Sequence, residues 1–339
     1  MSREMSPPYP WAMNAIVARA PARIDFGGGW TDVPPYSDER GGCVCNVAIE
    51  LHAVATVRAR DGGTTSSTSD GPDNALALAA TRRASMPDLH VSVHAEYPLG
   101  AGLGGSSAAG VAVLGGLAAW RGAALDPENL AEESRRLEVE DLGIAGGRQD
   151  HYAAAMGGAL GLWFGDTVTA RRLPLTHDLR DALDRRCIVA YTGQSRISSA
   201  TITAVIDAYR ARDRNVLGAL DRMRDLAALM VAALEAGDLD ALGGLVAEHW
   251  VHQRSLHPGI PTPAIDATLA AAMSAGALGG KALGASGGGC VLAIAAEGRE
   301  GDVRQAMARH ASILEVRVAT RGVHVAARAE PAGIAPSPS

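Results

Sequence analysis

Aromatic side chains make up only 4% of this 339-residue chain, with two Phe among them. The core must therefore be built from Ala, Val, Leu and Ile. Runs of one charge are also missing. The formal net charge is −6, and Lys and Arg form no stripe, which excludes the electrostatic footprint of a nucleic-acid binder. Any anionic ligand must be held by backbone amides and a few placed Arg or Lys side chains. There is no charge-free apolar stretch of the ~18 residues that a membrane span needs. The Ala/Gly-rich run 101–120 comes nearest, but it opens on a turn and lacks large apolar residues. No membrane partner is expected, and residues 1–14 lack the apolar core of a signal peptide. The four cysteines, Cys43, Cys45, Cys187 and Cys290, include one C-x-C without a second pair or a His at zinc spacing. They read as buried thiols in a reducing compartment, which places the protein in the cytoplasm. What is present is a globular balance, 47% hydrophobic and 20% charged, long enough for a sizeable core and two domains.

Residues 15–26 read as a strand ending in the turn cluster Gly27-Gly28-Gly29. Residues 43–60 alternate from Leu51 onward and read as one or two strands. The segment 61–75 is rich in Gly, Ser, Thr and Asp and reads as a loop, a plausible contributor to holding an adenine. Residues 89–96 alternate cleanly, with Val91, Val93 and Ala95 on one side and His90, Ser92, His94 and Glu96 on the other, as a half-buried antiparallel strand does. A glycine loop follows, then a helix over 106–120. Asp126 as N-cap and Pro127 at the first position open a second helix, 127–142. Strands are expected at 158–164 and 186–192, helices over most of 199–256 and at 263–277, and strands again at 282–295, 313–319 and 322–327. The organisation expected is a leader 1–14, an N-terminal domain 15–180, a C-terminal domain 181–330 and a disordered Pro/Ser tail 331–339.

The glycine loop, YPLGAGLGGSSAAG from Tyr97, is the most informative segment. Its glycines let the backbone turn tightly and bring amides to an anion. The helix beginning near Ser106 adds free N–H groups and a favourable dipole. A plain structural turn is one reading. A dinucleotide fold is formally allowed, because Gly100, Gly102 and Gly105 match G-x-G-x-x-G. Its context fails: the preceding strand alternates, and a helix stands where a second parallel strand should. The P-loop pattern fails as well, since no Lys-Ser or Lys-Thr follows.

The string P-L-G-A-G-L-G-G-S-S-A-A resembles the phosphate-binding motif of the GHMP kinases. Two further strings support the resemblance, ARAPARIDFGGGWTDVPPYSDERGGCVCNVAI near the start and GGKALGASGGGCVLAI near the end, with GIAGGRQDHYAAAMGG between them. Together they span about residues 15–327. The resemblance implies an α+β, two-domain GHMP kinase fold, with a ribosomal S5 domain 2-like N-terminal half and a ferredoxin-like C-terminal half. It implies ATP and Mg2+ as cofactors and a small-molecule sugar or sugar phosphate as partner in the cleft between the halves.

Residue by residue, the resemblance implies an ATP phosphate cradle made by Gly100, Ala101, Gly102, Leu103, Gly104, Gly105, Ser106 and Ser107. Asp150 matches the aspartate beside the attacking hydroxyl. Arg23 matches the arginine between sugar oxygen and γ-phosphate. Ser106 and Glu138 match the magnesium ligands, with Glu140 close enough to compete. Asp32 matches an aspartate that binds sugar hydroxyls. Gly28, Gly29, Trp30, Gly287 and Gly288 are placed near the sugar, and Ser286 stands where most relatives have glycine. His151 stands where related kinases often have Gln and is expected to touch the sugar. Arg148 and Arg196 are the candidates for a phosphate already on the substrate, because a guanidinium offers a bidentate fork. Galactokinases have a glutamate where this chain has Gly29, which argues against galactose. The string G-G-W-T-D-x-P-P-Y-S resembles L-fucokinases, and G-G-R-Q-D-x-Y-A-A-A resembles D-glycero-D-manno-heptose 7-phosphate kinases. Both groups phosphorylate the anomeric hydroxyl. A heptose 7-phosphate is the leading expectation, L-fucose or another free sugar the alternative, and a non-catalytic sugar and ATP sensor the reading from another class.

Overall fold

The computed structural model describes residues 15–59, 72–144, 146–193 and 199–328. In chain order the elements are β1 (Ala15–Gly27), α1 (Tyr36–Arg40), β2 (Gly42–Ala59), α2 (Pro72–Arg83), β3 (Leu89–Ala95), α3 (Gly105–Trp120) and α4 (Pro127–Arg136). A π-helical turn (Leu137–Asp141) leads to α5 (Gln149–Met156), β4 (Ala159–Phe164), β5 (Thr169–Leu173), α6 (His177–Arg186) and β6 (Cys187–Tyr191). Then come α7 (Ser199–Arg210), α8 (Arg214–Glu235), α9 (Leu239–Ser255), α10 (Pro263–Ser274), β7 (Ala277–Ala282), β8 (Cys290–Ala295), α11 (Glu300–Ala308), β9 (Ser312–Leu314) and β10 (His324–Arg328).

Two antiparallel sheets organise the chain. The first runs β10-β1-β2-β4-β5, with β3 also paired to β2. The single long strand β2 pairs with β4 through Gly42–Val47 and with β3 through Ala53–Ala59. Its residues 42–49 are buried at every position, as in a strand covered on both faces. Helices from both parts of the chain supply the cover: α3 and α5 pack on it, and so does α8. The second sheet runs β7-β8-β6-β9, with α9 and α10 packed on β7 and α11 on β6. Where α3 packs on the first sheet, a Cβ on Gly116 would lie 2.8 Å from Val57 Cγ2.

Two sequence expectations are corrected. Residues 282–295 form no single strand, because Gly284, Ser286, Gly287, Gly288 and Gly289 all take positive φ and turn the chain between β7 and β8. The loop expected over 61–75 gives way to α2 from Pro72. Helices α5 and α6 carried no expectation and are present. The chain also returns to the first sheet at its end, where β10 pairs with β1 from Ala15↔Arg328 to Arg19↔His324. The leader 1–14, the tail 331–339 and Arg196 lie outside the described residues. All four cysteines are free and buried. Among the described residues no helix is long and apolar enough to cross a membrane.

Candidate active site

The glycine loop enters α3 through Gly104, which has positive φ and gives the helix no side-chain cap. The first turn of α3 also holds no acidic residue. Its leading amides are thus left to an anion, and the helix dipole favours one there. The hydroxyl of Tyr97 donates to the Gly105 carbonyl at 2.9 Å and braces the loop. From behind, the turn between β7 and β8 packs on it, with the Cys290 N–H donating to Ala101 O at 2.7 Å. The approach is close enough to require glycine on both sides. A Cβ on Gly102 would lie 2.5 Å from the Leu283 carbonyl oxygen, and one on Gly284 would lie 2.9 Å from Gly102 Cα.

Arg23 reaches this loop from β1. Its own N–H donates to Leu103 O at 3.0 Å, and its Nη1 donates to Gly102 O at 2.6 Å. Its Nε donates to Asp150 Oδ1 at 2.7 Å. The arginine is 3% exposed, while the Asp150 carboxylate keeps a quarter of its surface open to the cleft. Asp150 lies in the first turn of α5 and against Gly104, where a Cβ would be 3.0 Å from the carboxyl carbon. A group bound between loop and α5 would therefore meet a fixed cation and a carboxylate together.

Asp32 sits across the start of α5. Its Oδ2 accepts the N–H groups of Arg148 at 2.8 Å and Gln149 at 3.0 Å, so it caps the helix that carries Asp150. Burial pushes its carboxyl up to about 6; the amide bonds oppose this, and the nearby charges of Asp150 and Asp25 add to it. Asp25, two residues after Arg23, is paired with Lys281, whose Nζ lies 2.9 Å from Asp25 Oδ2 and 3.0 Å from the Asp25 carbonyl. Burial works against the Asp25 charge, but Lys281, His249 and Arg23 outweigh it and hold the carboxyl below its ordinary value.

Glu138 comes from the π-helical turn, a device often found at functional sites. Its Oε1 accepts from Ser106 Oγ at 2.6 Å and its Oε2 from Ser107 Oγ at 3.0 Å. The His151 Nε2 lies 3.0 Å from Oε2. Burial alone would raise the Glu138 carboxyl, yet His151 and the two hydroxyls leave it below the usual range. An ionised carboxylate beside a serine hydroxyl at the mouth of an anion site supplies the hard oxygen donors that magnesium takes, with water and phosphate oxygens completing its shell. Glu140 is turned out toward Arg83, 3.7 Å away, and does not line the cleft.

These groups surround one cleft of about 480 Å³. Arg23, Asp25, Asp32, Gln149 and Asp150 line it, as do the apolar Leu76, Val93, Ala95 and Leu99 and the glycine loop. Gly29, Trp30, Ser286 and Gly288 also line it. The expected contacts of four other residues are corrected. His151 is buried beneath the loop, with Nε2 on Glu138 and Nδ1 3.0 Å from Ser134 Oγ, because one residue of helix turns it about 100° from Asp150. Arg148 gives Asp32 its backbone N–H, but its side chain does not line the cleft. Gly28 lies behind the wall and donates its N–H to His249 Nε2 at 2.8 Å. Gly287 donates to the Ile260 carbonyl at 2.9 Å and is likewise outside the lining. Asp25, Gln149 and Lys281 carried no sequence expectation. The string G-G-K-x-L-G-A held Lys281, but its partner lies 256 positions away and no local pattern reveals it.

Residues 73–158 match the GHMP kinases N terminal domain and residues 230–313 the GHMP kinases C terminal family. The chain is 29% identical to an L-fucokinase/L-fucose-1-P guanylyltransferase of Bacteroides fragilis, over 87% of this chain and 36% of that protein. It is 27% identical to a D-glycero-alpha-D-manno-heptose 7-phosphate kinase of Campylobacter jejuni, over 82% of this chain and 88% of the relative. It thus spans about a third of the bifunctional fucokinase relatives and most of the heptose kinase. In fold it resembles a D-glycero-D-manno-heptose 1-phosphate kinase from Bacteriodes thetaiotaomicron, with a TM-score of 0.73 at 22% identity, over 91% of this chain and 98% of that one. It also resembles a Lactococcus lactis galactokinase complexed with galactose, with a TM-score of 0.71 at 16% identity, over 91% and 95%.

Proposed function

The chain belongs to the GHMP kinases, and from that premise we propose that it is an ATP-dependent sugar kinase acting on the anomeric hydroxyl of a heptose 7-phosphate or a related sugar. The observation that carries this reading is the Arg23–Asp150 pair, held at 2.7 Å against the glycine loop with Asp32 at the start of the same helix. Phosphoryl transfer asks for positioning and charge neutralisation more than covalent chemistry. The leading amides of α3 hold the triphosphate. Arg23 balances charge on the group in transit. Asp150 orients the attacking hydroxyl and receives its proton as the new P–O bond forms and the bond to ADP breaks. An anomeric hydroxyl is more acidic than an ordinary alcohol, so orientation is a large share of this role. Ser106 and Glu138 would hold a magnesium ion, which would supply further charge neutralisation at the phosphates. The four buried thiols fit a reducing cytoplasm.

One observation favours the free-sugar reading, L-fucose or a relative. Arg23 is the only Arg or Lys lining the cleft among the described residues, and Arg148 does not enter it. A second phosphate on the substrate would need Arg196 or another cation outside those residues. A coupled ADP-release assay over free sugars and sugar phosphates tests both. Turnover of the heptose 7-phosphate supports the first reading, and turnover of free sugars alone supports the second. ATP binding without turnover of any sugar would favour a sensor and sink the kinase reading.

A further inference from the structure

The two oxygens of Glu138 are held from different sides. Oε1 accepts from Ser106 Oγ at 2.6 Å, and Ser106 is exposed at the cleft. Oε2 is held by buried groups: Ser107 Oγ and His151 Nε2 each lie 3.0 Å from it. Ser107 is 5% exposed and His151 only 1%. An ionised carboxylate only accepts, so the ring nitrogen that faces it carries a proton and donates. These three donors are not equivalent. Ser106 would join Glu138 in the shell of a bound ion, whereas Ser107 and His151 hold Oε2 from behind that shell.

His151 is itself fixed. Its Nδ1 lies 3.0 Å from the hydroxyl of Ser134, a residue of α4 that is 1% exposed. That hydroxyl occupies space left by Gly110 of α3, where a Cβ would lie 2.5 Å from Ser134 Oγ. Glycine is unfavourable in the middle of a helix, and here it makes room for the group that backs the ring. Ser107 of α3, Glu138 of the π-helical turn, His151 of α5 and Ser134 of α4 thus form one buried polar column.

Carboxylates that bind metals are oriented by groups outside the ion's shell, and those groups decide which oxygen is offered. We infer that His151 is a positioning residue for Glu138: it ties down Oε2, so that Oε1 alone is offered to a cation beside Ser106. A single carboxylate oxygen suits Mg2+, which demands a compact octahedral shell and keeps several waters. It suits Ca2+ less well, because that ion takes a larger shell and often both oxygens of a carboxylate. The inference rests on the kinase reading and names the side chain that sets the metal preference of its nucleotide site.

The test is calorimetric titration of Mg2+ and of Ca2+ into protein in excess over a non-hydrolysable ATP analogue, with the metal-free affinity for that analogue measured beforehand. His151→Leu removes the donor, and His151→Gln keeps an N–H for the same oxygen. His151→Leu should bind Mg2+ at least about 10-fold more weakly, lose less affinity for Ca2+, and keep its metal-free affinity for the analogue. His151→Gln should recover most of the Mg2+ affinity. A histidine that only packs would instead lower Tm and leave the ratio of Mg2+ to Ca2+ affinity as it is in the native protein. Unchanged Mg2+ affinity in His151→Leu, or equal losses for the two ions, overturns the inference alone. If the native protein binds the analogue and Mg2+ adds nothing, the Ser106–Glu138 metal site falls and takes the inference with it. If the native protein binds no analogue, the kinase reading falls. Should His151→Leu fail to fold, Ser134→Ala decides. It removes the support behind the ring and should weaken Mg2+ binding roughly 3-fold or more, and unchanged Mg2+ affinity there would overturn the inference.

Discussion

At neutral pH Asp32 is an ionised carboxylate in a buried place. Its folded value of about 6 stands above the ordinary 3.8, so between those values the folded chain holds the proton more tightly than the unfolded one. The stability that Asp32 contributes is therefore full below about pH 4 and is lost as pH rises through about 6, a window of roughly 3 kcal/mol at most. Asp32→Asn removes the charge but keeps an acceptor for the two amides. It should raise Tm at about pH 8, match the native protein near pH 4, and weaken sugar binding. A Tm–pH profile of both proteins checks this; parallel curves would refute it. Asp25 and Glu138 run the other way, since their folded values are lowered and their contribution is present at neutral pH and lost on acidification. At this scale, motif resemblance pointed to Arg23, Asp150, Ser106 and Glu138, and the structure brings all four to one cleft. It missed the aim of His151 and Arg148. A residue's neighbour in sequence can face a different direction on a helix, and which face looks at the cleft depends on how α5 is docked.

The glycine loop and the turn between β7 and β8 are one device made of two segments. Gly102→Ala would put a methyl 2.5 Å from the Leu283 carbonyl at a positive φ of 74°. The strained backbone alone costs about 1–3 kcal/mol, and the clash would part the two segments. The expected result is a lower Tm with at least 10-fold weaker ATP binding, measured by thermal shift and calorimetry. Gly122→Ala also has positive φ but meets nothing within 4 Å, so it should lose less stability and leave ATP binding unchanged. Equal nucleotide loss in both would contradict this account. The phosphate loop and α3 were legible because the alternating strand, the glycines and the helix follow one another locally. The 282–295 segment was misread as one strand because its apolar residues flank a turn. The glycines there answer to a backbone some 180 residues earlier in the chain, a contact that local periodicity does not report.

The two sheets meet at the cleft, and the chain crosses between them more than once. β10 closes the edge of the first sheet beside β1, and α8 covers strands of that sheet from the second part of the chain. A division near residue 180 cuts across the first sheet, whose edge strand β10 comes from the second part of the chain, as does the α8 cover. That closure was hidden in sequence because β10 reads as an ordinary short strand whose partner lies some 300 residues away. Lys281 of β7 and Asp25 of β1 tie the two sheets at the centre, with 0% and 2% side-chain exposure. Lys281→Met would leave the Asp25 charge buried without its partner, a change that costs about 3–5 kcal/mol. Denaturant unfolding should show that loss, and the double variant Lys281→Met with Asp25→Leu should recover much of it. A single variant as stable as the native protein would show that the tie is dispensable.

The central claim is that this cleft passes a phosphoryl group from ATP to the anomeric oxygen of a sugar, with Asp150 beside the attacking hydroxyl. Phosphorus NMR of the product tests it most directly, using the best substrate of the ADP-release panel. The account predicts a phosphate resonance coupled to the anomeric proton, formed by the native protein. In Asp150→Asn it should form at least about 100-fold more slowly, with Tm and ATP affinity retained. A phosphate on any other carbon, or full activity in Asp150→Asn, would contradict the account.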